Sequence, residues 1–225
     1  MQPTRAVLLD ALGTLVHFEP PAPLLRAELR DRLGLEVSEE TAAAAMKAEI
    51  AYYRAHLQEG RDPASLADLR RRAAEAMRPV LRTDGDLTGA LLAALRFRAY
   101  PDAAPVLREL RSRGVALVVV SNWDHSLHER LEETGLAPLV DAAVASAEVG
   151  HAKPDRAIFE HALALAGVDA AGALHAGDSP DEDVGGALAA GLRAVLVARD
   201  GGPPPDAGVP VIRSLAELPA HCHYA

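Results

Sequence analysis

The sequence predicts an α/β protein: a doubly wound parallel sheet interrupted after its first strand by an all-helical segment. Three observations predict it. The apolar run Val7-Leu8-Leu9 leads straight into Asp10, with Gly13-Thr14 close behind. An unbroken apolar run is what a strand buried on both faces looks like, and a glycine lets the chain turn sharply at its end. From Pro101 onward, apolar runs of strand length alternate with helical patterns, the signature of right-handed crossovers and a parallel sheet. Between these regions, from Val16 to about Ala99, the chain reads as helix with no convincing strand. The expected plan is a sheet domain made of residues 1–16 and 100–225, with a helical domain inserted at 17–99.

The insertion holds four expected helices. Pro20-Pro21 and Pro23 open an amphipathic run through Leu24, Leu25, Leu29 and Leu33 that stops at Gly34. Ser38 before Glu39-Glu40 is an N-cap with acids in the first turn, and a long helix continues to about Gln58. Asp62-Pro63 is a cap followed by proline at the first helical position, opening a helix with Leu66, Leu69, Ala73 and Met77 at helical spacing. A fourth helix is expected over 86–98. In the sheet domain, strands are expected at 115–120, 141–146, 173–176 and 193–198, with helices at 102–113, 124–134 and 154–166. An edge strand at 209–212 follows a loop at 201–205. Ser179 with Glu182 three residues on is a capping box, with Pro180 at the first helical position.

Composition excludes several classes of function. A net charge of −9 over 225 residues argues against nucleic acid or an anionic membrane as partner. No apolar run reaches the roughly 20 residues needed to span a bilayer, and no hydrophobic signal region precedes the first strand. The single cysteine, Cys222, allows no intrachain disulfide. The expectation is a cytoplasmic protein.

Four polar groups fall at or just beyond the ends of the expected core strands: Asp10, Ser121-Asn122, Lys153 and Asp178. In a parallel sheet those ends share one edge, where open α/β sheets bind ligands, so the groups can converge although they are far apart in sequence. Each has a plainer explanation, as turn former, helix cap or surface charge; their occurrence in this order favours a site. Of the 23 lysines and arginines only Lys47 and Lys153 are lysine. A lysine kept in an arginine-rich chain suits a place that needs a compact ammonium, and Lys153 occupies such a place.

These residues lie in L-L-D-A-L-G-T-L at 8–15, V-V-V-S-N at 118–122, K-P-D-R-A-I-F at 153–159 and H-A-G-D-S-P-D-E-D-V at 175–184. Together they resemble the haloacid dehalogenase-like hydrolase superfamily over nearly the whole chain. The insertion resembles the helical cap of the subgroup containing small phosphatases and haloacid dehalogenases, set on a Rossmann-like core. The resemblance implies Asp10 as the nucleophile, Ser121 and the Asn122 backbone as holders of the transferring group's oxygens, and Lys153 as the charge that offsets carboxylate and phosphoryl group. It further implies Mg²⁺ bound by Asp10, Asp178 and the carbonyl of Leu12, with Asp183 and Thr14 in the surrounding shell. The implied substrate is a small phosphorylated molecule.

One position departs from the family. Its phosphatases carry a second aspartate two residues after the nucleophile, which protonates the leaving oxygen and then activates water; here that residue is Leu12. Loss of a general acid/base typically costs ~10²–10⁴ in rate. The first reading is therefore a weakened Mg²⁺-dependent phosphatase. His17 is its candidate substitute acid, set against the plainer reading of a solvent-facing hinge histidine. The second is a 2-haloacid dehalogenase, whose halide leaves without a proton; Gly177-Asp178-Ser179 stands against it, because family dehalogenases use no Mg²⁺. The third is a non-catalytic protein that binds phosphate or a partner.

Overall fold

The computed structural model describes residues 2–199 and 208–224, so the loop expected at 201–205 lies outside the described residues. The chain divides into two compact units. One comprises the residues up to His17 and those from Ala99 onward; the other is Phe18–Arg98.

Strand β1 (Ala6–Leu9) is fully buried along its length, and β2 (Val16–Phe18) follows the turn at 10–15. The helical unit contains α1 (Pro21–Leu33), α2 (Glu39–His56), α3 (Pro63–Glu75), the single turn α4 (Arg78–Leu81) and α5 (Leu87–Ala94). Its helix signals act as the sequence indicates. Gly34 ends α1 in the left-handed conformation, Ser38 Oγ accepts the Thr41 N–H at 3.1 Å, and Asp62 Oδ1 accepts the Ala64 and Ser65 N–H groups at 2.9 Å. Leu25, Leu29, Met46, Met77, Leu87 and Leu91 form its core.

The ends of the insertion differ from expectation. The fourth helix stops at Ala94, and β3 (Phe97–Ala99) pairs with β2 in a two-stranded sheet. Strands of three residues are too short to show a two-residue period, and the Phe18–Phe97 ring pair, with centroids 4.4 Å apart, contributes cross-strand packing.

The first unit continues with α6 (Ala103–Ser112), β4 (Ala116–Ser121), α7 (Leu127–Glu133), β5 (Ala142–Ala145), α8 (Ser146–Val149) and α9 (Arg156–Ala166). After these come β6 (Ala173–Gly177), α10 (Gly186–Ala189), β7 (Arg193–Val197) and β8 (Val211–Ile212), then a 3₁₀ helix at Leu215–His221. The sheet has the order β5-β4-β1-β6-β7-β8 and is parallel throughout, with β8 at the edge as expected. Leu8, Val118, Val120, Ile158, Phe159 and Leu196 belong to one buried cluster around it. Full burial of side chains this size contributes roughly 1.5–3 kcal/mol each. Among the described residues no helix is long and apolar enough to cross a membrane.

Strand order reverses at β1, which has β4 on one side and β6 on the other. Asp10, one residue past β1, therefore stands at the switch point of the sheet, where the carboxyl ends of neighbouring strands leave a crevice. The sequence beyond β6 folds differently from the expected regular helix. Pro180–Gly185 is a wide π-type turn leading into α10, and only half of the capping box forms. Ser179 Oγ accepts the Glu182 N–H at 3.2 Å, while the Ser179 N–H goes to Asp183 Oδ2 at 3.0 Å. Glu182 instead accepts from Asn122 Nδ2 at 3.0 Å.

Candidate active site

Asp10 continues the β1 ladder by one hydrogen bond, its N–H meeting the Ala176 carbonyl at 2.9 Å, so its backbone is fixed by β6. Its side chain is 7% exposed. Oδ1 accepts from Ser121 Oγ, the last residue of β4, at 3.0 Å and from Lys153 Nζ at 2.6 Å. Lys153 Nζ also donates to Asp183 Oδ1 at 2.6 Å. The sheet edge thus joins Asp10, Ser121, Lys153 and Asp183 into one buried hydrogen-bonded chain.

Asn122 holds Lys153 in place through its side chain. Its Oδ1 accepts the Lys153 N–H at 2.7 Å and its Nδ2 donates to the Lys153 carbonyl at 2.9 Å, a bidentate grip on the backbone of residue 153. The sequence reading gave Asn122 a role through its backbone and did not foresee this use of the amide.

Asp183 accepts three hydrogen bonds. Oδ1 receives Lys153 and His175 Nε2, the latter at 2.8 Å, and Oδ2 receives the Ser179 N–H. His175 is fully buried on β6 with its ring edge-on to Phe159, and its Nδ1 has no hydrogen-bond partner among the described residues. Sequence reasoning quoted His175 within a motif but gave it no role. The available signal was a lone polar residue in an apolar strand eight positions before an aspartate. Gly177 makes this packing possible, since a Cβ there would lie 2.1 Å from Asp183 Cγ.

Asp178 follows β6 and faces the loop after Asp10. Gly13 has φ +85°, and a Cβ on it would lie 2.0 Å from Asp178 Oδ2; only glycine permits both the turn and the approach. Carboxylate oxygens of Asp10, Asp178 and Asp183 all lie within 4.8 Å of one another and can hold a metal ion. In the same loop, three N–H groups (Thr14, Leu15 and Val16) converge on the Ala11 carbonyl, and among the described residues the Leu12 carbonyl accepts no backbone hydrogen bond. The donors are all oxygen, as a hard dication requires. Thr14 is fully buried, its hydroxyl has no hydrogen-bond partner among the described residues, and its carbonyl accepts from Arg199 at 2.8 Å. His17, on β2, sets its ring against Tyr100 with centroids 4.8 Å apart.

The charges respond to this crowding. Burial pushes the Asp10 carboxyl up to about 6 against the pull of Lys153, with the Asp183 charge adding to the rise. Loss of hydration and the Asp183 charge lift Asp178 to about 6 as well. Burial alone would raise Asp183, but the Lys153 charge and the His175 hydrogen bond outweigh it and hold this group well below the usual carboxylate range. Burial would likewise weaken Lys153 as a cation, and Asp10 with Asp183 outweighs it, so Lys153 stays protonated. The site contains one ammonium against three carboxylates, a deficit of positive charge that a dication would offset.

A family model for haloacid dehalogenase-like hydrolases matches residues 4–191. Among curated proteins the chain is 43% identical over 105 residues to a phosphoserine phosphatase of Thermus thermophilus, which covers 46% of this chain and 42% of that protein. It is 45% identical over 103 residues to haloacid dehalogenase-like hydrolase domain-containing protein 3 of Bos taurus, covering 46% and 40%. The chain thus spans less than half the length of these relatives in its matches. Two solved structures align over almost all of both chains at 26% identity. One is a phosphatase of the same family from Thermococcus onnurineus, with TM-score 0.69 and 97% of each chain covered. The other is a 2-haloacid dehalogenase from Pseudomonas syringae, with TM-score 0.67 and 96% of this chain and 97% of that one covered.

Proposed function

The chain belongs to the haloacid dehalogenase-like hydrolases, and from that premise we propose that it is a Mg²⁺-dependent phosphatase acting on a small phosphorylated metabolite through an aspartyl-phosphate on Asp10. The observation that carries the proposal is the carboxylate cluster of Asp10, Asp178 and Asp183 around a single buried ammonium. Relatives named as phosphatases support it.

In this reading Asp10, Asp178 and the Leu12 carbonyl would hold Mg²⁺, and the metal would supply the positive charge that lets a phosphate dianion approach a carboxylate. Asp183, whose Oδ1 takes both Lys153 and His175, orients Lys153. The free oxygen of Asp10 attacks phosphorus while Lys153 fixes the other oxygen, and the phosphorus–oxygen bond to the leaving group breaks. Ser121 and the Asn122 backbone steady the phosphoryl oxygens, and Lys153 draws off their charge. Leu12 offers neither proton nor base, so release of the leaving group and attack of water on the intermediate are both slowed. The helical unit takes the role of the family's cap, and the setting is the cytoplasm.

A second reading, a 2-haloacid dehalogenase, is favoured by Leu12, since halide leaves unprotonated, and by the structural match to such an enzyme. Asp178 and its approach to Gly13 favour the phosphatase. A panel of phosphate esters with 2-chloropropionate alongside, assayed with Mg²⁺ and then with EDTA, separates the two. Phosphate release that EDTA abolishes supports the proposal, halide release indifferent to EDTA supports the second reading, and ligand binding without product marks a binding protein.

A further inference from the structure

Arg199 stands two residues past β7, and its guanidinium is engaged on three sides. Nη1 donates to Asp102 Oδ2 at 3.0 Å, and Nη2 donates to Asp102 Oδ1 at 2.9 Å and to the Thr14 carbonyl at 2.8 Å. Cζ lies 3.8 Å from the centroid of the Tyr100 ring, a stacked cation–π contact. Asp102 is itself pinned, its Oδ2 accepting Ser214 Oγ at 2.7 Å and the Leu215 N–H at 2.9 Å. The Tyr100 N–H reaches the Leu15 carbonyl at 2.9 Å, so the partners of Arg199 hold the same loop a second time. Only a planar fork can grip a carboxylate with both arms, spare a hydrogen for a carbonyl and stack on a ring at once; an ammonium cannot.

The loop held this way, residues 11–15, follows the proposed nucleophile. It contains Leu12, whose carbonyl accepts no backbone hydrogen bond among the described residues, and Gly13, which is packed against Asp178. The buried Thr14 hydroxyl has no partner among the described residues, so the side chain of Thr14 anchors the loop by no hydrogen bond there. We propose that Arg199 is a positioning residue for the active site: through the Thr14 carbonyl it fixes residues 11–15 so that the Leu12–Gly13 peptide stays against Asp178. Among the described residues Arg199 hydrogen-bonds to Asp102 and Thr14 and not to the carboxylate cluster, so its effect is exerted through the loop.

Three variants test this: Arg199→Lys, which keeps the charge and loses the fork, Arg199→Gln, and Ser214→Ala as a control that weakens the same network on its far side. Two readouts are taken below the melting temperature of each variant. One is deuterium exchange of the backbone amides of residues 11–16. The other is the Mg²⁺ dissociation constant by calorimetry, which needs no turnover. Both arginine variants should exchange faster in this segment and bind Mg²⁺ about 10-fold more weakly, as for other groups that orient metal ligands from outside. Ser214→Ala should lower the melting temperature and leave both readouts at wild type. Unchanged exchange, unchanged Mg²⁺ affinity, or equal effects in Ser214→Ala would each overturn the assignment. The metal readout rests on the proposed function. If the wild-type protein binds no Mg²⁺, that reading fails, while the exchange data still decide whether Arg199 holds the loop.

Discussion

Lys153 Nζ lies 2.6 Å from Asp10 Oδ1, with both side chains buried and residue 153 clamped at its backbone by the Asn122 amide. The pair brings a residue one step past the central strand together with one 143 positions later. It fixes one oxygen of Asp10 and leaves the other for chemistry.

Removing the ammonium should therefore be costly twice over. Lys153→Met leaves Asp10 and Asp183 as buried carboxylates without their cation, and breaking a buried pair in this way costs about 3–5 kcal/mol. Urea unfolding should show that loss, together with loss of hydrolysis. Lys153→Arg should not restore activity, because a planar fork does not replace a point charge between two carboxylates. Wild-type turnover in Lys153→Arg would contradict the role given to Lys153.

Glu49 makes a separate prediction for the helical unit. It lies on α2, is 4% exposed and has no hydrogen bond or ion pair among the described residues; burial pushes its carboxyl up to about 7 from an ordinary 4.5. A carboxyl whose folded value is raised holds its proton more tightly when folded. Its contribution is therefore fully present below pH 4.5 and is lost as pH rises through 7. The loss amounts to roughly 3 kcal/mol. Glu49→Gln should raise the melting temperature at pH 8 and leave it unchanged at pH 4. Equal melting temperatures at pH 8 would show that the buried charge is compensated.

Much of this architecture is legible in the sequence, and what escapes has a common cause. The buried strands announce themselves as unbroken apolar runs, and Gly34, Ser38 and Asp62 act where local rules place them. Asp10, Ser121, Lys153 and Asp183 meet because strand ends of a parallel sheet share an edge. By contrast, β2 and β3 are too short for periodicity, and Glu182 leaves its capping box for Asn122, 60 positions earlier. The grip of Arg199 on Asp102 and Thr14 spans 97 and 185 positions. Such long-range polar contacts leave no local pattern, and in a chain with only two lysines among 23 basic residues no single arginine stands out.

Leu12 offers a gain-of-function test. If the site is that of a phosphatase short of an acid/base, Leu12→Asp should raise turnover of alkyl phosphates, whose leaving groups need a proton. Aryl phosphates should gain less in the first step. The gain should be up to about 100-fold, below the full range for acid/base catalysis, because the site was not shaped around that carboxylate. A stable Leu12→Asp protein that binds Mg²⁺ and gains nothing on any ester would count against phosphatase chemistry.

The central claim is that Asp10 carries the phosphoryl group, and Leu12 makes that claim directly visible. With no base to activate water, the aspartyl-phosphate should break down slowly and accumulate. The measurement is peptide mass spectrometry after acid quenching of the protein incubated with an aryl phosphate and Mg²⁺. The account predicts a phosphoryl adduct on Asp10 that is absent in Asp10→Asn and absent with EDTA. Phosphate released in a burst with no adduct on Asp10, or an adduct on another residue, would contradict it.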